Sequence, residues 1–155
     1  MIYRVNFDLK IFRLLFDNLY ARLLEFGLQR DWTEREVVDR LIAVLAKDQA
    51  THLLVTISNT KITSHCLYVV QGSNIIMEQV QVDDKKDNET AKQYIAYAEE
   101  LAKQDSNLRY ILGITTRTEL KALQKAYGFE YYNTLIRKEL KHDESINPEN
   151  TDSTV

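Results

Sequence analysis

The feature that most constrains this chain is a block of three β-branched runs, residues 53–57, 62–70 and 75–82. Two four-residue breaks separate them, Ser58-Asn59-Thr60-Lys61 and Gln71-Gly72-Ser73-Asn74. Breaks this short leave no room for a crossover, so the runs must fold back on one another as an antiparallel meander. A meander needs cover, and the residues before it supply that. From residue 7 to 26 apolar side chains recur at helical spacing (Phe7, Ile11, Leu14, Leu15, Leu19, Leu23, Phe26), and Phe12, Phe16 and Leu24 widen the face. This pattern predicts one long helix or two shorter ones, stopped at Gly27. Thr33 and Glu36 then form a capping-box pair, with Trp32 and Val37 placed as a hydrophobic staple. The helix they open is expected to bury Val37, Val38, Leu41, Ile42 and Leu45.

The ends complete the order. Residues 2–5 read as a short opening strand. After the meander, Ala91, Tyr94, Ile95, Ala98, Leu101 and Ala102 mark a third helix, capped by Asp87 or Asn88. Residues 108–115 read as a strand, 118–127 as a short helix ended by Gly128, and 131–137 as a last strand. The fold class is therefore α/β of the α+β kind: a mixed, mostly antiparallel sheet flanked by helices, in the order β-α-α-β-β-β-α-β-α-β. The strand–helix–strand passage from Val82 to Leu108 predicts parallel pairing late in the chain.

Charge divides the chain into a body, residues 1–140, and a tail, residues 141–155. The tail holds one Lys, four acids (Asp143, Glu144, Glu149, Asp152) and the sole proline, Pro148. The body has equal numbers of basic and acidic residues, so the net charge of −3 belongs to the tail. With two aliphatic side chains, Ile146 and Val155, the tail is expected to be disordered. A neutral body offers no excess cation for counterion release, which argues against a general nucleic-acid binder. No stretch reaches the roughly 18 apolar residues of a membrane-spanning helix. No secretion leader opens the chain, so the expected location is the cytoplasm. One cysteine, Cys66, and three scattered histidines predict no disulfide and no metal site.

The order and several short motifs resemble the GNAT acetyltransferase superfamily. Met77-Glu78-Gln79-Val80-Gln81-Val82-Asp83 is similar to the family's fourth strand, which often reads I-E-x-V-x-V-x-P. Ala122-Leu123-Gln124-Lys125-Ala126-Tyr127-Gly128-Phe129 is similar to its last helix, A-L-Y-x-K-x-G-F. Lys138-Glu139-Leu140 resembles the K-x-L close of its last strand. Ile62-Thr63-Ser64-His65-Cys66 sits where the family often reads I-V-G-H. The pieces span about 140 residues in the family's order, giving one GNAT-like domain over residues 1–140. Short phage-encoded members are similar in style, through Gly113-Ile114-Thr115-Thr116; that origin would allow a virion location.

The resemblance implies transfer of an acetyl group from acetyl-CoA to an amine, on a small molecule or a protein. It places the pantetheine arm and the thioester on the backbone of Val80, Gln81 and Val82. The diphosphate would fall on the loop and helix start holding Lys85, Lys86, Asn88 and Thr90. That loop has no glycine where the family has several; none lies between Gly72 and Gly113. Four acids (Asp83, Asp84, Asp87, Glu89) crowd it, offset in part by Lys85, Lys86 and Lys92. Glu78 is the candidate base, on strand parity with Val80 and Val82 and so expected on their face. His65 is the runner-up base, and Cys66, of opposite parity, is expected to be a buried small hydrophobe. Aligned on Gly128-Phe129, Gln124 stands at the family's general-acid tyrosine, and Tyr127 is the candidate substitute. The altered loop and Gln124 also fit an alternative: a catalytically inactive GNAT-fold protein used for binding or assembly, for instance in a phage particle or host interaction. The resemblance implies that the closing strand is a pairing surface, and with the nine tyrosines this makes a homodimer an expectation.

Overall fold

In the computed structural model residues 1–113, 121 and 124–130 are described. The chain divides into two units, Met1–Ile114 and Thr115–Val155. The first is a five-stranded sheet in the order β1-β2-β3-β4-β5, with β1 at Ile2–Arg4, β2 at Thr51–Ser58, β3 at Lys61–Gln71, β4 at Asn74–Val82 and β5 at Tyr110–Gly113. The first four strands pair antiparallel, and β4 and β5 pair parallel, as the meander and the late crossover predict. The β2–β3 turn places both central residues, Asn59 and Thr60, at positive φ (49° and 61°), which suits the right-handed twist of a two-residue hairpin.

Helices α1 (Lys10–Leu14), α2 (Phe16–Leu28) and α3 (Glu34–Leu45) cover one face of the sheet. Their core joins Phe12, Leu19, Leu23, Val37 and Leu41 to Leu53, Val55 and Leu67 of the strands. Helix α4 (Asn88–Gln104) covers the other face, packing Tyr94 and Ala98 on Leu54, Cys66, Tyr68 and Ile75. That second core is wired by hydroxyls: Tyr94 bonds to Ser64 Oγ at 2.5 Å, and Tyr68 donates to the Tyr94 carbonyl. Burial raises the pKa of both phenols.

The first helical stretch takes the two-helix form, breaking at Leu15 into α1 and α2. Two expectations change. Gly27 does not stop α2, which runs on to Leu28. A Cβ there would lie 3.1 Å from Trp32 Cβ and 3.2 Å from Val37 Cγ2, so glycine serves the close approach of α2 to the start of α3. The Thr33–Glu36 capping box forms in both directions. The buried face of α3, however, is Val37, Leu41 and Val44, while Ile42 and Leu45 stay 54% and 49% exposed. The i, i+3/i+4 spacing admitted both stripes, and the sheet sees only one of them.

In the second unit, residues 124–127 are helical, and Gly128, at φ 71°, donates its N–H to the Gln124 carbonyl, a left-handed helix stop. The expected closing strand, its dimer surface and the acidic tail lie outside the described residues. Among the described residues no helix is long and apolar enough to cross a membrane.

Candidate functional site

The middle of β4 departs from regular pairing. Leu67 lies opposite Gln79, but the next β3 residue, Tyr68, lies opposite Met77, so Glu78 is the extra residue of a β-bulge. The bulge resets the alternation of side chains. Val80 and Val82 pack with Met77 on the α4 side. Glu78 instead reaches α3, where Arg40 donates two hydrogen bonds to its carboxylate, Nε to Oε2 at 2.7 Å and Nη2 to Oε1 at 2.6 Å. The expectation that Glu78 shares a face with Val80 and Val82 is therefore corrected: strict alternation fails where one strand carries an added residue. The Glu78 side chain is 16% exposed and that of Arg40 37%. The carboxylate raises the pKa of the guanidinium above its already high value.

Before the bulge, β4 pairs with β5. Among the described residues their parallel register runs from Asn74↔Tyr110 to Met77↔Gly113. Beyond it, the direction of each β4 amide follows from the antiparallel ladder with β3. Asp83 N–H bonds to the Thr63 carbonyl at 3.1 Å, so that pair is of the hydrogen-bonded kind. Pairs alternate, so Gln81–His65 and Gln79–Leu67 are hydrogen-bonded too, while Val82–Ser64 and Val80–Cys66 are not. Val80 and Val82 thus point their N–H and C=O groups away from β3, toward the β5 side of β4. Gln81 is committed to the ladder. The edge has no strand partner there among the described residues, and backbone groups of this kind are strong, obligatory hydrogen-bonding sites.

His65 is fully buried on the α2 side of β3. Its Nδ1 accepts from Arg22 Nε at 2.9 Å, and its Nε2 lies 3.1 Å from Gln79 Oε1. Arg22 is a donor only, which assigns the neutral ring: Nδ1 accepts and Nε2–H donates. Burial, then the Arg22 charge, pushes its pKa down to about 3. To act as a base the ring would have to give up the Arg22 bond. Its visible work is structural. Arg22 also bonds the Ile62 carbonyl at 3.3 Å and grips Asp83 with both Nη atoms, at 2.6 and 3.0 Å. The end of β4 is thereby fastened to α2. Cys66, one residue on, faces α4, fully buried, with its thiol pKa pushed up to about 12 by desolvation.

The start of α4 is self-capped. Asp87 is the N-cap: its Oδ1 takes the Thr90 N–H at 3.0 Å and its Oδ2 takes the Thr90 hydroxyl at 2.5 Å. These bonds hold its pKa below the usual carboxylate range. In the preceding turn, Lys86 N–H bonds to Asp84 Oδ1, Asp87 N–H to the Asp84 carbonyl and Asn88 N–H to the Lys86 carbonyl, at 2.9–3.1 Å. Lys92 pairs with Glu89 at 2.6 Å. A diphosphate cradle needs unspent amides and net positive charge at a helix start. This turn has spent amides and carboxylates, so its residues do not fit that part of CoA. Lys85, Lys86 and Asn88 are exposed and Thr90 is buried.

Tyr127, in the second unit, is half-buried on its helix turn, and Gln124 is exposed. Two apolar hollows, of about 400 Å³ (Tyr3, Leu9, Ile11, Phe12, Ile57) and about 230 Å³ (Phe16, Tyr20, Val38, Leu41, Ile42, Leu45), include none of the candidate residues. Sequence reasoning missed Arg40, Arg22 and Gln79. A carboxylate on a largely apolar strand calls for a cation, but nothing local says which of the chain's cations answers.

No family model matches the sequence, and no curated protein matches it significantly. Solved structures do match in fold. A probable acetyltransferase is 10% identical with a TM-score of 0.64, the match covering 93% of this chain and 99% of that one. Glucosamine-6-phosphate N-acetyltransferase from Arabidopsis thaliana is 14% identical with a TM-score of 0.63, covering 91% and 98%. Aminoglycoside N-acetyltransferase AAC(6')-Iy, solved in complex with CoA, is 14% identical with a TM-score of 0.58, covering 92% and 100%.

Proposed function

We propose that this chain, whose architecture is the GNAT acetyltransferase fold, is an N-acetyltransferase acting on an amine, with acetyl-CoA as the donor its fold suggests. The observation that carries the reading is the bulge at Glu78, next to the β4 edge on which Val80 and Val82 direct their amides away from β3. A thioester laid along that edge meets fixed N–H donors that polarise its carbonyl, and dipoles already in place cost no reorganisation during reaction. The bulge sets a carboxylate beside the same stretch of strand. Arg40 takes two of its lone-pair sites and leaves others, so Glu78 remains able to receive the proton that the amine nitrogen loses as the C–N bond forms and the C–S bond breaks.

Thiol release from acetyl-CoA, measured over a panel of primary amines, tests this. Release above background is expected, and Glu78→Gln should lower it about 100-fold or more with the Tm little changed. Full activity in Glu78→Gln would remove Glu78 as base. The second reading, a non-catalytic GNAT-fold binding or assembly protein, is favoured by the Asp87 cap that fills the helix start. No thiol release, together with no calorimetric heat from acetyl-CoA or S-acetylpantetheine at millimolar concentration, would establish that reading in place of the first.

A further inference from the structure

We infer that this chain selects its acyl donor by the pantetheine arm and makes no productive grip on the nucleotide diphosphate, so that S-acetylpantetheine binds about as tightly as acetyl-CoA. The inference rests on β4 being the thioester-holding edge and deepens that reading by naming the donor class: acyl-pantetheine thioesters, whatever follows the arm.

A diphosphate is held by unspent amides, net positive charge and room for its oxygens. At the start of α4 the amides of Lys86, Asp87, Asn88 and Thr90 already have partners within the turn or in the Asp87 side chain. Cations near the turn are engaged as well. Arg22 is bound through both Nη atoms to Asp83, and Lys92 is paired with Glu89. Lys85 and Lys86 share the turn with Asp84 and Asp87, so it carries no surplus of charge. The space a phosphate oxygen would take beside the Thr90 amide is filled by a carboxylate oxygen 3.0 Å from that nitrogen. The β4 edge differs on each count. Its outward groups are neutral amides, flanked by the valine side chains of Val80 and Val82. Alternating amides and short apolar links are what a pantetheine arm offers in return. The two halves of the donor therefore meet opposite receptions, and the discriminating residue is Asp87.

Calorimetry on the full chain with acetyl-CoA and with S-acetylpantetheine tests this, in the wild type and in Asp87→Asn. Asparagine caps a helix about as well as aspartate, so the fold is kept while the charge is removed. In the wild type the two affinities should agree within about three-fold, or S-acetylpantetheine should bind more tightly. In Asp87→Asn the acetyl-CoA affinity should rise about 2- to 5-fold, the effect of one charge at a helix start, with S-acetylpantetheine unchanged. Acetyl-CoA binding about ten-fold or more tightly than S-acetylpantetheine in the wild type would overturn the inference and leave the acetyltransferase reading standing. An equal shift of both ligands in Asp87→Asn, or no shift of acetyl-CoA, would overturn the role of Asp87. Binding of neither ligand would overturn the acetyltransferase reading and this inference with it.

Discussion

The outward edge of β4 and the first turn of α4 lie a few residues apart and are made of the same material, backbone N–H groups that neither the β3–β4 ladder nor the helix's own bonds use. They end in opposite states. At Val80 and Val82 the amides point away from β3 and are unclaimed by that ladder. At the start of α4 the chain answers its own amides with Asp84, Asp87 and a local turn. The difference shows that a fold can lend a binding position while a handful of side chains decides whether it remains open. Likeness of fold carries the first half of that statement and leaves the second to local residues.

The sharpest way to break the comparison is proline, which removes one N–H at a time. Gln81→Pro deletes a ladder bond to His65 and should cost about 3 kcal/mol, seen as a large fall in the urea midpoint. Val80→Pro deletes an outward N–H and should cost far less stability while removing thioester binding. Equal destabilisation by the two would show that the ladder phase is wrong. Next in size is the hub that ties β4 to α2. The folded pKa of His65, about 3, lies below its ordinary value of 6.5, so the ring stays neutral in the fold while the unfolded chain takes up a proton. Its contribution is complete above pH 6.5 and is lost as pH falls toward 3, with a slope approaching 1.4 kcal/mol per pH unit, or about that for one group. Urea melts across that window should show the slope, and His65→Gln should lose this share of it. His52, also held neutral by burial, keeps its own share.

Smaller effects sharpen the closed side. Asp87→Ala removes the cap and should cost about 1 kcal/mol, read as a lower Tm. Asp87→Asn should stay within a few tenths of wild type. If the alanine variant melts with the wild type, the cap is not what holds the helix start.

Much of the frame was legible because it is written in local periodicity and turn chemistry. The meander, the capping box at Thr33 and Glu36, a cap at Asp87 or Asn88 and the parallel β4–β5 pair all follow from spacing along the chain. The bulge was not. Residues 75–82 read as an unbroken strand, and an added residue leaves no mark in the alternation until the partner strand fixes the register. Glu78 was thus named correctly as a carboxylate on β4 but assigned to the wrong face. Gly27 misled for a related reason. A glycine that ends a helix and one that admits a neighbouring side chain look alike until Trp32 and Val37 are placed against it. Arg22 and Arg40 were hidden because their partners lie 61 and 38 residues away in sequence.

The burial of Cys66 has a practical corollary for the bench. The chain's single sulfhydryl sits where no reagent reaches it in the native state, and desolvation keeps it protonated. A thiol-reactive dye added to an assay mixture will therefore report the liberated donor thiol, with no background from the protein. The same dye in denaturant will count unfolded molecules one sulfur at a time.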